Sequence, residues 1–161
     1  MKLSPRSKNQ PKCLSGKDLY TPKQVAKELN LSVETLRLYE REGLFVPYRL
    51  SSGHRRFTEG DIEWIQCIKE QIHVHKLNFA GIRYVLSTIP CHEIKPCCLE
   101  NPQTCPAGAK SCRPCWDFEG TPCRLKGESC RTCVVYQQVF DIEKLKKTLP
   151  VKFLCEQNAY N

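Results

Sequence analysis

Nine of the twelve cysteines in this 161-residue chain fall within residues 91–133, and that stretch limits what the second half can become. They are Cys91, Cys97, Cys98, Cys105, Cys112, Cys115, Cys123, Cys130 and Cys133. The segment is rich in Cys, Pro and Gly, has no sustained hydrophobic periodicity and offers few apolar side chains. Such a segment folds only around a cross-link or a metal. Thiolates suit zinc and iron–sulfur clusters, and a CxxC pair grips one metal from a tight turn. Two such pairs are present, Cys112/Cys115 and Cys130/Cys133, leaving Cys91, Cys97, Cys98, Cys105 and Cys123 to complete two sites. His92 is an available nitrogen ligand, although a lone surface histidine is the commoner reading.

Compartment decides between metal and disulfide. The N-terminal MKLSPRSKNQPKCLSGKD is basic but has no apolar core of a secretory signal. No apolar run approaches the ~20 residues of a membrane helix. The expectation is therefore a cytoplasmic protein without a membrane partner, in which clustered thiols bind metal. Cys67 lies beside an apolar helical stripe and reads as plain core, whereas Cys13 and Cys155 have no assigned role. The formal charge is +8, and residues 1–90 hold 15 Lys/Arg against 9 Asp/Glu. A basic first half suggests a polyanionic partner, with solubility as the plainer alternative.

Residues 1–18 read as a disordered basic arm. In LYTPKQVAKEL, Thr21 is an N-cap, Pro22 stands at the first helical position and Gln24 completes a capping box. Tyr20 and Val25 are placed as a hydrophobic staple. The spacing of Val25, Ala26 and Leu29 predicts a helix over 22–29. After Asn30-Leu31, Ser32 caps a second helix, VETLRLYEREG, with Leu36, Tyr39 and Leu44 inward and Gly43 as its stop. Two short helices joined by a tight turn form a helix-turn-helix unit. LFVPYRLSSGHRRF then reads as a two-stranded wing, with Pro47 on an edge. Thr58 opens another capping box, followed by a helix carrying Ile62, Ile65, Ile68 and Ile72. NFAGIRYVLSTI buries Phe79, Ile82, Leu86 and Ile89, and Pro90 ends the block.

The second helix of such a unit enters the major groove and presents polar side chains to base edges. Its outward positions here include Glu34, Thr35, Arg37 and Arg41, and the wing adds Arg49, His54, Arg55 and Arg56 for phosphates. A solvated helix and a basic hairpin explain either element alone; their ordered combination favours DNA. No nucleotide-binding loop, nucleophile–base pair or carboxylate constellation points to an enzyme.

The run TPKQVAKELNLSVETLRLYEREGLFVPYRLSSGHRRFTEGDIEWI resembles the DNA-binding domain of MerR-type transcriptional regulators. The likeness rests on Thr35-Leu36-Arg37, Tyr39-Glu40, Gly43-Leu44, Pro47, Arg49, Gly53, Arg55 and Phe57, and it extends to about residue 89. It implies a winged helix-turn-helix over 19–90, a homodimer, a pseudo-palindromic double-stranded operator and RNA polymerase at the promoter. By position it places Arg37 and Tyr39 on or beside the recognition surface, and Arg49 and Arg55 on the wing. His54 stands where the family often has tyrosine, so that phosphate contact is lost or becomes pH-sensitive. The family normally continues into a long dimer helix, but here Pro90 and the cysteine-rich segment intervene. The nearest substitute is a helix over 134–149 with Val135, Val139, Ile142, Leu145 and Leu149 on one stripe. We read it as a dimer seam in preference to a helix packed back on its own cysteines, with 150–161 as a tail.

TCPAG, SCRPCWDFEGTPC and SCRTCVVYQ resemble, mainly by spacing, the Cys-Trp modules attached to various bacterial signalling proteins. Trp116 beside Cys115 would shield an iron–sulfur cluster or form the small core of a zinc knot. Iron–sulfur is favoured over zinc because an effector domain needs a state that changes. One branch of MerR-type regulators carries such a cluster, on a more compact cysteine motif. Direct sensing of a thiophilic ion is a third reading. The expected architecture is mainly α: a winged helix-turn-helix, a metal-stabilised cysteine-rich segment over 91–133 and a short C-terminal helix. The expected function is a regulator controlled by that centre. The alternative is an architectural or excisionase-like DNA-binding protein whose zinc is only a fastener.

Overall fold

The computed structural model describes residues 19–96, 104–108 and 111–141. The expected basic arm, Cys13, Cys97, Cys98, Cys155 and the tail lie outside them.

Local chemistry starts each element. Thr21 accepts a hydrogen bond from the Gln24 amide, and the Gln24 side chain reaches back to the Thr21 amide. This reciprocal box launches α1 (Pro22–Glu28) and is worth about 1 kcal/mol. The Ser32 hydroxyl accepts from the Thr35 amide at the start of α2 (Val33–Arg41). Gly43 ends that segment at φ +69, a left-handed conformation that costs a residue with a Cβ about 1–2 kcal/mol. The wing is β1 (Tyr48–Arg49) paired antiparallel with β2 (Arg55–Arg56), in the register Tyr48↔Arg56 and Arg49↔Arg55. Gly53, at φ +79, closes its turn with a bond from its amide to the Leu50 carbonyl. Tyr20 and Phe57 exchange two backbone hydrogen bonds, so the entry to α1 runs beside the exit from the wing.

The second capping box, Thr58 with Asp61, opens α3 (Glu59–His73), and Asn78 caps α4 (Phe79–Ser87). Val25, Leu36, Tyr39, Ile62, Ile65, Ile68, Ile82 and Leu86 form the shared core of the four helices, as the apolar spacing requires. The Lys69 ammonium donates to the Leu29 carbonyl and ties α3 to the end of α1. Arg83 of α4 pairs with Glu42 just beyond α2. Cys67 is buried in α3 with the core, as its place beside the apolar stripe suggested, and it is disulfide-bonded.

Among the described residues past Pro90, regular structure shrinks to single turns. They are α5 (Cys91–Ile94), a 3-10 turn at Cys115–Asp117, α6 (Pro122–Leu125), and 3-10 turns at Cys130–Thr132 and Tyr136–Phe140. The predicted C-terminal α-helix is thus corrected where it is described: residues 136–140 form a 3-10 turn. Val135, Tyr136 and Val139 enter the same core as the helices, together with Trp116. Two members of the supposed dimer seam, Val135 and Val139, therefore face their own chain. Ile142, Leu145 and Leu149 lie outside the described residues. The described part of the molecule is mainly helical, with the turns of 111–141 laid against the four-helix core.

Candidate nucleic-acid interface

An exposed cationic face is built by α2 and the wing. Leu36 and Tyr39 anchor α2 from below, which leaves Glu34, Arg37 and Arg41 facing solvent. Arg37 pairs with Glu34 at 2.5 Å, one turn back on the same helix. Thr35 is half-buried, its hydroxyl 2.8 Å from that of Ser32.

Glu40 joins the helix to the wing. One carboxylate oxygen accepts from Arg49 at 2.6 Å and the other from Arg55 at 2.5 Å. Arg55 and Arg56 are half-buried and His54 is exposed. Between helix and wing lies an open cleft of about 180 Å³ whose lining includes Arg37, Glu40, His54, Arg55 and Arg56. Across residues 33–57 five arginines stand against three glutamates. A cleft with this cationic rim attracts an extended polyanion, and Glu40 fixes how far the wing cations can swing.

Seven of the eight sequence-predicted DNA contacts, Thr35, Arg37, Arg41, Arg49, His54, Arg55 and Arg56, belong to this helix–wing unit. Tyr39 does not share its exposed face. Only 2% exposed, it packs edge-on against Phe79 with ring centroids 5.9 Å apart. The resemblance placed Tyr39 on or beside the recognition surface and the apolar periodicity placed it inward; it is buried beneath the exposed face of α2. Burial also pushes its phenol above the ordinary tyrosine range.

The link from α2 to the wing, residues 43–46, makes few backbone hydrogen bonds of its own. Side chains supply its partners. Trp64 of α3 donates its indole N–H to the Leu44 carbonyl at 3.0 Å. Trp116 donates to the Gly43 carbonyl at 2.9 Å. The Val46 amide donates to the Tyr136 hydroxyl at 2.7 Å, and Arg131 donates to the Val46 carbonyl at 3.1 Å. Asp117 lies so close to Gly43 that a Cβ there would sit 2.7 Å from its carboxyl group. Three of the four side chains therefore come from beyond Pro90, Trp116 and Arg131 from the cysteine-rich segment and Tyr136 from just after it.

Arg131 also binds the start of α3. It forms a two-pronged ion pair with Asp61, one arm at 2.5 Å, and Asp61 is fully buried. Asp61 accepts in addition from the Thr58 amide and hydroxyl, at 2.7 and 2.9 Å. The Arg131 guanidinium lies over the Phe140 ring at 5.3 Å, and Tyr136 stacks edge-on against both Trp116 and Phe140. Sequence reasoning missed Arg131 and Tyr136 altogether. Their partners lie 70 and 90 residues away, beyond the reach of any local pattern.

Four of the nine predicted metal cysteines, Cys115, Cys123, Cys130 and Cys133, line one small pocket of about 20 Å³ beside Trp116 and Tyr136. Burial pushes the Cys115 thiol upward, and the neighbouring Cys91, Cys133, Cys130 and Cys123 push in the same direction. Burial raises Cys130 as well, with Arg124 opposing. Cys112 is exposed, and neither it nor Cys105 lines this pocket. His92 is exposed, 3.8 Å from Glu93. Among the described residues, no three His, Cys, Asp or Glu side chains stand closely enough around one point to hold a metal ion as they are placed. No helix of the described residues is long and apolar enough to cross a membrane.

Comparison with known proteins bears on the first half of the chain. Residues 20–89 match the family described as MerR HTH family regulatory protein. The HTH-type transcriptional regulator AdhR of Bacillus subtilis (strain 168) is 53% identical over 47 residues, which cover 29% of this chain and 34% of that protein. An uncharacterized HTH-type transcriptional regulator of Haemophilus influenzae is 41% identical over 54 residues, covering 31% of this chain and 40% of that protein. The chain thus spans well under half the length of these curated relatives. No solved structure matches it. Regulators of the matched family are transcription factors and not enzymes.

Proposed function

Starting from the MerR-type helix-turn-helix domain of residues 20–89, we propose that the protein is a sequence-specific, DNA-binding transcription regulator in the cytoplasm, controlled by a cysteine-ligated centre. The observation that carries the reading is Glu40, which fixes Arg49 and Arg55 of the wing beside the Arg37–Arg41 face of α2. A helix with a cationic hairpin locked at its side suits a major groove and the phosphates flanking it. Arg37 must leave Glu34 to reach a base edge, and Arg55 touches only the backbone. Two half-sites one helical turn apart require a two-fold protein, so the active form is a homodimer on double-stranded operator DNA, acting with RNA polymerase at the promoter.

Control falls to the thiols. Cys115, Cys123, Cys130 and Cys133 line one pocket together with Glu128 and Ser129; they are not placed around a single point, but thiols are the donors that zinc and iron–sulfur centres select. When bound, zinc supplies a fixed tetrahedral cross-link, whereas an iron–sulfur cluster supplies a redox change. A pocket of about 20 Å³ has room for one water-sized body, which favours a single ion over a cluster. The second reading, an architectural DNA-binding protein with structural zinc, is favoured by the entry of Trp116, Val135 and Tyr136 into the core of the helices. A fastener would be built in this way too.

The test is footprinting on a duplex selected by the full-length protein from a random pool, combined with zinc and iron analysis. The regulator reading expects two protected half-sites about 10 base pairs apart and affinity falling steeply with salt. Protection without sequence preference would contradict it. Operator affinity indifferent to removal of the metal would select the architectural alternative.

A further inference from the structure

We propose that Tyr136 is a positioning residue for DNA binding: its hydroxyl fixes the base of the wing, and so decides whether Arg49 and Arg55 meet phosphates. The proposal rests on the DNA-binding reading above. It carries the working interface beyond residues 20–89, into a part of the chain that the family match does not cover.

The contact falls where the wing begins, at Val46, just before β1. Both polar backbone groups of Val46 meet the same hydroxyl. The amide donates to it at 2.7 Å, and it donates in turn to the carbonyl at 3.3 Å. A phenol suits this double role, being donor and acceptor at once. Burial pushes it above the ordinary tyrosine range, so its proton is retained for the carbonyl. The ring is clamped, because Trp116 and Phe140 stand edge-on to it at 5.1 and 5.5 Å. Tyr136 is only 1% exposed, so water has no way to replace the hydroxyl without a shift of the backbone.

From Val46 the effect reaches the DNA face by a short path. Pro47 follows, and its ring leaves the backbone one torsion fewer to absorb a turn of Val46. The pairing of Tyr48 with Arg56 and of Arg49 with Arg55 then carries the movement to both strands. Glu40 orients the two guanidinium groups, but its ion pairs are partly solvated and too weak to stop the strand pair from pivoting. Arg131 holds the Val46 carbonyl as well, whereas the amide has Tyr136 as its partner. Without the hydroxyl, that amide is buried and unpaired, a costly state that is relieved when the link moves and water reaches it. The wing then swings about the carbonyl contact that remains, and Arg49 and Arg55 leave the phosphates.

The experiment compares the full-length protein with Tyr136→Phe, which keeps the ring and loses the hydroxyl. Anisotropy over a series of salt concentrations gives affinities for the selected and a scrambled duplex. Each phosphate contact adds about 0.9 to the slope of log affinity against log salt. Tyr136→Phe should lower that slope by about 2, the share of Arg49 and Arg55, and weaken both affinities about tenfold with their ratio unchanged. Val139→Ala is the control for a merely structural role, since it truncates a fully buried side chain of the same turn that has no hydrogen-bonding group. Its slope should match wild type. Hydrogen exchange on wild type keeps the test standing should Tyr136→Phe fail to fold: the Val46 amide should exchange as slowly as the core amides of α2, and free exchange would contradict the proposal. If wild type did not tell the selected from the scrambled duplex, the DNA-binding reading would fall and this proposal with it. If wild type discriminates but the slope is unchanged in Tyr136→Phe, or falls equally in Val139→Ala, the proposal alone is overturned. A lowered ratio in Tyr136→Phe would place its effect on the recognition helix and overturn the assignment to the wing.

Discussion

The two halves of this molecule are held together by different means. The helix-turn-helix half consists of capped helices whose apolar stripes converge on one core, each element specified by residues within a few positions of itself. The described residues of the cysteine-rich half form isolated turns with no comparable stripe. Its order is borrowed: Trp116, Arg131 and Tyr136 reach back to Gly43, Val46 and Asp61. The dependence is mutual, because the link between recognition helix and wing obtains most of its hydrogen-bond partners from the turns. A segment that cannot hold itself together is well suited to responding to something that can.

Removing Arg131 should break this mutual dependence most severely. Arg131→Met leaves the fully buried Asp61 without its cation and the Val46 carbonyl without its donor, at a cost of about 3–5 kcal/mol. Against a typical total of ~5–15 kcal/mol, that is a large fraction. Denaturant unfolding should show one transition at a lower midpoint, reported alike by helix signal and tryptophan fluorescence. Two separate transitions would mean that the halves are independent.

A smaller effect sharpens the contact at Gly43. Gly43→Ala combines a left-handed backbone with a Cβ pressed into Asp117, and should cost about 2–3 kcal/mol. Adding Asp117→Ala removes the steric part and should recover about half the loss in the same denaturant assay. No recovery would mean that Asp117 does not press on the link. The smallest effect belongs to Glu40→Gln. Stability should change by less than about 1 kcal/mol, since Glu40 and both its arginines are at least partly solvated. Affinities for the selected and the random duplex should both rise a few-fold as a negative charge leaves the cleft, with their ratio unchanged, because Glu40 holds only the phosphate-facing Arg49 and Arg55.

What the sequence disclosed follows the same division. Thr21 with Gln24, Ser32, and Thr58 with Asp61 are caps read over three residues, and all three appear as expected. Ile62, Ile65 and Ile68 repeat at helical spacing and are buried. Asp61 was legible as a cap, but not as the partner of a residue 70 positions away. Trp116 was read against its neighbour Cys115, although its indole N–H serves Gly43. The 134–149 stripe suggested an α-helix because Val135 and Val139 are four apart. Yet Tyr136, between them, is anchored on Val46 and buried as well, so three positions of this turn face one core. Periodicity reports that a face is buried and is silent about what covers it. The nine cysteines raised the expectation of a thiol site; that four of them line one pocket depends on contacts between turns that no spacing encodes.

The claim on which the account turns is that α2 reads sequence while the wing only holds the backbone. Its most direct measurement is the ratio of affinities for the selected duplex and a scrambled one, taken for wild type, Arg37→Ala and Arg55→Ala at one salt concentration. Arg37→Ala should lower that ratio by at least about tenfold, the loss of one base-edge contact worth ~1–3 kcal/mol. Arg55→Ala should weaken both affinities and leave the ratio unchanged. A ratio untouched by Arg37→Ala would contradict the assignment of the recognition helix.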